Sequence, residues 1–174
     1  MGVRRKVVRV GLVVLAVLVG GSAGLYVWSR VSPTEVVASV EIEASAERVW
    51  GALTDFESYP DWNPFIVRAD GQATVDSTLR NTLVNNGSRM DFEPTVLVAD
   101  PERELRWIGR FGMPGIVDGE HYFLIEPIGL DRVRFTQGET FTGILVPVAG
   151  GSLDVKDGFA AMNSALKSRL ENAE

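Results

Sequence analysis

Residues 119–142 read GEHYFLIEPIGLDRVRFTQGETFT, two alternating runs on either side of Gly129-Leu130-Asp131. In the second run Val133, Phe135, Gln137, Glu139 and Phe141 share one parity, while Arg132, Arg134 and Thr136 share the other. In the first run His121, Phe123 and Ile125 fall together. A period of two puts each set on one face of a strand, and a Gly-containing turn of this length joins the runs as a hairpin. The apolar set turns to the core and carries His121, Gln137 and Glu139 inward with it.

The segments before the hairpin read the same way. Strands are predicted over 65–70, 78–85, 89–99 and 103–111, separated by Asp70-Gly71, Asn86-Gly87 and Asp100-Pro101. Leu105, Trp107 and Gly109 share a face, as do Met90, Phe92, Val96 and Val98, with Pro94 marking a bulge or an edge. A longer loop, Gly112 to Gly115, precedes the hairpin and is read as a turn or a gate carrying Met113. Nearer the N-terminus, Val36 to Ile42 alternates as a first strand. Ser45 then caps a helix bearing Val49, Trp50, Leu53 and Phe56, and Pro60 and Pro64 break the next short helical region. At the other end Val155, Phe159, Met162, Leu166 and Leu170 form one stripe of a long helix. The sum is an α+β domain: about seven antiparallel strands in a curved sheet, two short helices after the first strand, and a long C-terminal helix as cover. One helix cannot fill a curled sheet of this length, so a cavity between them is expected.

Several motifs then point to a family. EASAERVW (43–50), YPDWNPF (59–65), PERELRW (101–107), GEH (119–121) and ETFTG (139–143) occur in an order that resembles the START-like superfamily. That superfamily is also known as SRPBCC or polyketide cyclase/dehydratase-like, and the resemblance covers about residues 36–172. It implies the helix-grip fold, in which the sheet wraps the last helix. Members of the superfamily bind lipids, sterols, polyketides or plant hormones, and some are cyclases.

The N-terminal segment differs from the rest. Arg4, Arg5, Lys6 and Arg9 precede nineteen uncharged residues, Val10 to Trp28, enough to span the ~30 Å hydrocarbon core as a helix. Tyr26 and Trp28 suit a membrane interface, and the basic tip predicts a cytoplasmic N-terminus with the domain on the other side. Residues 1–28 are therefore read as tip and single-pass anchor, 29–35 as a linker and 36–174 as the domain. The alternative is a signal peptide cleaved near Gly21-Ser22-Ala23, giving a secreted domain. Against cleavage, the apolar run resumes at Leu25-Tyr26-Val27-Trp28. Gly20 and Gly24 form a small-xxx-small pair that predicts weak dimerisation of such helices.

Charge and composition narrow the chemistry. All 23 acids but only 13 of the 17 basic residues lie beyond Trp28, a net charge of −10 that disfavours nucleic acid as a partner. With no cysteine and one histidine, no metal site is expected. No phosphate-binding glycine loop or nucleophile elbow stands out, and no cofactor is expected.

The expected cavity lining comprises Trp62, Phe92, Trp107, His121, Phe123, Phe135, Gln137, Glu139, Phe159 and Met162. Many apolar groups with a few polar ones suit a hydrophobic small molecule or lipid. His121 and Glu139 sit on adjacent strands, as an acid–base pair or as a structural pair tying strand to strand. Trp62 carries an equal expectation of simple packing between helix and sheet. Three functions follow: a membrane-anchored binder or carrier of an apolar ligand, a cyclase-like enzyme using Glu139 and His121, and a protein-interaction module whose pocket is filled.

Overall fold

The computed structural model describes residues 2–172. Helix α1 (Gly2–Val31) is continuous, and its segment Arg5–Val31 is long and apolar enough to cross a membrane. The most apolar eighteen-residue window of that segment is not buried by any of the described residues. A helix closes all its backbone hydrogen bonds within itself, as hydrocarbon requires. Gly20 and Gly24 have open space beside them. The helix runs on to Val31 and the first strand starts at Thr34, leaving only Ser32 and Pro33 where a seven-residue linker was expected. Pro33 stops the helix, because a residue before proline is driven out of the α region.

Strand β1 (Thr34–Ile42) leads to α2 (Ala46–Thr54), where Ser45 Oγ accepts the Arg48 N–H at 3.3 Å as the N-cap. A single 3₁₀ turn, Phe56–Ser58, passes into α3 (Tyr59–Trp62). The YPDWNPF motif lies here and acts as a clasp. The Tyr59 hydroxyl donates to the Leu53 carbonyl at 2.6 Å, and Asn63 Oδ1 accepts the N–H groups of Phe65 and Ile66 at 3.0 and 2.9 Å. Full burial, with Asp55 nearby, pushes the Tyr59 hydroxyl far above the usual tyrosine range, so it stays a donor.

The strands that follow are β2 (Ile66–Asp70), β3 (Arg80–Asn85), β4 (Ser88–Phe92), β5 (Thr95–Asp100), β6 (Glu104–Phe111), β7 (Val117–Gly129) and β8 (Arg132–Thr142). Among the described residues there are eight rather than about seven, because the run 89–99 breaks at Glu93-Pro94. β4 pairs with β3 in a three-stranded sheet of order β2-β3-β4, and β5 joins a five-stranded sheet of order β1-β8-β7-β6-β5. Pro94 has no N–H for a ladder, but its carbonyl accepts the Leu79 N–H at 2.9 Å. A bridge between Thr78 and Thr95 links the two sheets across the bend.

All pairings are antiparallel, and the long hairpin sets His121 opposite Glu139, Phe123 opposite Gln137 and Ile125 opposite Phe135. After β8 come the short α4 (Val146–Ala149) and the long α5 (Lys156–Glu171). The stripe Phe159, Met162, Leu166 and Leu170 is buried against the sheet, and Asn163 Nδ2 ties α5 to β1 through the Ala38 carbonyl at 3.1 Å. At ~25 cal/mol per Å² of apolar surface removed from water, this stripe is the main force closing sheet on helix.

Candidate functional site

The inner face of β6, β7 and β8 divides into two parts. Under α5, Leu105, Phe123, Phe135, Phe159 and Met162 are fully buried members of one apolar cluster. Phe123 stacks on Phe135 with ring centres 5.8 Å apart, and Trp107 meets Phe123 edge-on at 5.1 Å. Nearer the β6–β7 loop the face carries no side chain at two positions. Gly109 and Gly119 are paired directly across the strands. The Phe92 ring lies over Gly109, and the Glu139 carboxylate lies where a Cβ on Gly119 would have to be. Above them is a cavity of about 480 Å³.

Trp107, His121, Glu139 and Phe141 form part of its wall, Ile66, Leu83, Met90 and Phe92 another part, and Leu145, Val148, Leu153 and Val155 its roof. Its size falls within the ~300–1,000 Å³ of small-molecule sites. An interior plugged throughout, as the interaction-module reading requires, is not what the chain builds.

Of the ten expected lining residues, the cavity brings together Phe92, Trp107, His121 and Glu139. Phe123, Phe135, Gln137, Phe159 and Met162 belong to the solid part beneath. Trp62 stands apart: it packs edge-on against Tyr59 at 5.1 Å, its indole N–H donates to Ser58 Oγ at 3.2 Å, and Arg169 lies over its ring. The roof residues between Leu145 and Val155, and the Gly109/Gly119 pair, were not expected. Facing glycines of inward parity were the available signal for a hollow, but using it required the β6–β7 register.

The polar chemistry of the wall centres on His121. Its ring stacks on Trp107 at 5.1 Å, and its Nδ1 lies 3.5 Å from Glu139 Oε2. On the other side, Nε2 is 3.1 Å from Gln137 Nε2. An amide nitrogen can only donate, so in this arrangement His121 Nε2 accepts and the ring proton sits on Nδ1, facing Glu139. The separation from Glu139 exceeds hydrogen-bonding distance, which leaves the carboxylate open to a donor arriving from the cavity. Gln137 is fully buried, with its Nε2 also 3.5 Å from Met162 Sδ and its Oε1 without a partner. At the rim, Asp118 Oδ2 accepts the Gly115 N–H at 3.0 Å, and Arg110 approaches Asp118 Oδ1 at 3.9 Å. Among the described residues no cluster of His, Asp and Glu could hold a metal ion.

Residues 33–173 match the family model described as polyketide cyclase / dehydrase and lipid transport. The chain belongs to that family. Among solved structures, a START superfamily protein from Mycobacterium smegmatis is 26% identical, with 79% of this chain and 97% of that one covered at a TM-score of 0.59. The Zhui aromatase/cyclase from Streptomyces sp. R1128 is 16% identical over 80% and 94% of the two chains, with a TM-score of 0.66. Norcoclaurine synthase from Thalictrum flavum, in complex with dopamine and hydroxybenzaldehyde, is 17% identical over 84% and 92%, at 0.63. The last two likenesses are of fold alone. No curated protein matches the chain. The polyketide cyclase / lipid transport family thus holds both enzyme-like and ligand-carrying descriptions, and residues of this chain must discriminate between them.

Proposed function

We propose that the domain binds a hydrophobic small molecule or lipid in the cavity and is held at the outer face of a cell membrane by α1. The observation that carries this reading is the largely apolar hollow of about 480 Å³, with His121 and Glu139 side by side on its wall and Arg110 also in its lining. An apolar body fills such a site while one hydroxyl or amide of the ligand donates to Glu139 and fixes its orientation. Gly20 and Gly24 leave α1 a groove through which two anchors can pair.

Trp107 supplies the test, since its indole lines the cavity while Trp62 does not. The full chain in lipid nanodiscs is titrated with an anilinonaphthalene sulfonate dye, and tryptophan quenching is compared with that of Trp107→Phe. A saturable component that disappears in the variant is the expected result. Equal quenching in both proteins, with no small molecule retained in native mass spectrometry, would defeat the proposal.

A cyclase-like reading rests on one observation, the side-by-side placement of His121 and Glu139 in the cavity wall. In it Glu139 takes a proton from one atom of the substrate, a protonated His121 gives one to another, and transfer from the Glu139 carboxyl to the His121 ring resets the pair. If turnover of aromatic polyketide-like substrates survives in both Glu139→Gln and His121→Ala, that reading fails.

A further inference from the structure

The N-terminal helix and the open end of the cavity meet. Ser29, in the last turns of α1, is 1% exposed; its hydroxyl accepts the Gly143 N–H at 2.9 Å and donates to the Tyr26 carbonyl at 2.9 Å. The Tyr26 ring packs beside Gly115. Gly115 and Gly143 belong to the β6–β7 and β8–α4 loops, which are laced together by Ile144 N–H to Gly115 O at 2.9 Å and Leu145 N–H to Ile116 O at 3.1 Å. The helix is thus fastened to these two loops at the level of Tyr26, where its apolar run ends.

The same loops bear the rim of the cavity. Phe111 and Val148 line it and are 68% and 69% exposed, and Met113 beside them is 72% exposed. Leu145, also in the lining, is exposed as well. Large apolar side chains gathered in water around an opening mark a contact surface. Two cations accompany them, Arg30 at the end of α1 and Arg110 in the lining, as suits a headgroup layer. Asp118 accepts the Gly115 N–H and lies 3.9 Å from Arg110, so it offsets part of that charge and leaves Arg30 as the main cation. If α1 lies in a bilayer with Tyr26 at the interface, this rim lies at the same height.

We infer that the cavity mouth docks into the leaflet that α1 enters, so that the ligand moves between bilayer and cavity without crossing water. This rests on the ligand-binding reading above for the existence of a cargo. It adds the route and the orientation. Val117 stands at the mouth and His121 four residues deeper, roughly 13 Å along the strand. The cargo is therefore an amphiphile whose polar end reaches Glu139 while its apolar end trails towards the bilayer.

The absence of native cysteine permits single labels on the full chain. Met113→Cys, Val148→Cys and Leu130→Cys are each labelled with a nitrobenzoxadiazole dye and reconstituted in phosphatidylcholine/phosphatidylglycerol vesicles. Leu130 is 100% exposed at the far end of the β7–β8 hairpin and serves as the reference. Labels at 113 and 148 are expected to emit blue-shifted light and to be quenched by doxyl-lipids, with Leu130 quenched only by aqueous iodide. Iodide quenching at all three sites overturns the inference. So does shielding of 113 and 148 from both quenchers, which would mean that a protein, such as a second copy of the chain, covers the rim.

Met113→Asp should slow dye loading from vesicles without changing equilibrium occupancy, and unchanged loading would also count against docking. The Trp107 titration separates the two readings. Lipid-exposed labels without Trp107 quenching leave docking standing and remove the cargo; Trp107 quenching with water-exposed labels does the reverse.

Discussion

The part of the interior under α5 and the part beside the β6–β7 loop are made from the same three strands with the same alternation. One is solid and the other hollow. Under α5 the inward positions are Leu105, Phe123 and Phe135, and Phe159 and Met162 come down to meet them. Two residues further along β6 and two back along β7 from Trp107 and His121, the inward positions are Gly109 and Gly119, and the roof is the irregular chain from Leu145 to Val155. Burial in the first part is dense enough that removing a ring leaves a void. In the second the Phe92 ring and the Glu139 carboxylate come down over the two glycines and leave the space above them unfilled. Stability should therefore live in one part and binding in the other, and substitutions can separate them.

The largest effect is expected from Phe135→Ala. A fully buried phenylalanine stacked on Phe123 should cost about 3–5 kcal/mol in denaturant unfolding, with dye affinity in the surviving folded fraction little changed. If affinity fell as steeply as stability, the division between the two parts would be false. Next comes Gly109→Leu, whose Cβ meets the Phe92 ring at 3.4 Å and whose branch reaches past it towards the hollow. Dye affinity should fall more than tenfold, over about 1.4 kcal/mol, while crowding of the Phe92 ring costs about 1–3 kcal/mol of unfolding free energy, less than the loss at Phe135. Unchanged dye binding would show that the probe sits elsewhere.

The same division explains what could be read in the residues alone. The hairpin and its inward set were legible because a period of two survives any tertiary context, and it was enough to bring His121 beside Glu139. The stripe on α5 was legible for the same reason at its own period. How far α5 would reach along the sheet was not, so Phe123, Phe135, Gln137, Phe159 and Met162 were expected around a cavity when they pack solidly below it. Trp62 misled because a large aromatic in a turn is equally suited to a pocket mouth or to the Tyr59 and Arg169 contacts it makes. The roof between 145 and 155 has no repeating pattern at all. The break at Pro94 was visible as a proline, but its consequence, a second sheet, depends on the partners β3 and β6 offer on either side.

At the boundary between the two parts, Glu139→Gln tests whether the polar patch orients a ligand or only ties strands. The carboxylate is partly exposed to the cavity and lies beyond hydrogen-bonding distance of His121, so it should contribute little to folding. Affinity for a hydroxylated apolar ligand is expected to fall by about 1 kcal/mol, roughly fivefold, against no change for its deoxy analogue. Equal losses for both ligands would assign Glu139 to packing.

The smallest effect comes from the opposite face of the same strand and serves as the control for all three. Tyr122 lies between His121 and Phe123 in sequence but points outward, with its ring over Gly138, its hydroxyl donating to Glu35 Oε1 at 3.0 Å and Arg106 against its face. Partial burial, then the bond and charge of Glu35, push its hydroxyl up to about 12 from an ordinary 10, with Arg106 opposing. A raised value in the folded chain means that the unfolded chain loses the proton first as pH rises. The contribution of Tyr122 is thus whole below pH 10 and declines between about 10 and 12. Tyr122→Phe should flatten that part of the alkaline unfolding profile and leave dye affinity at pH 7 as it was. A change in dye affinity would mean that the outer face communicates with the cavity, and the effects of Gly109→Leu and Glu139→Gln could then no longer be assigned to the hollow alone.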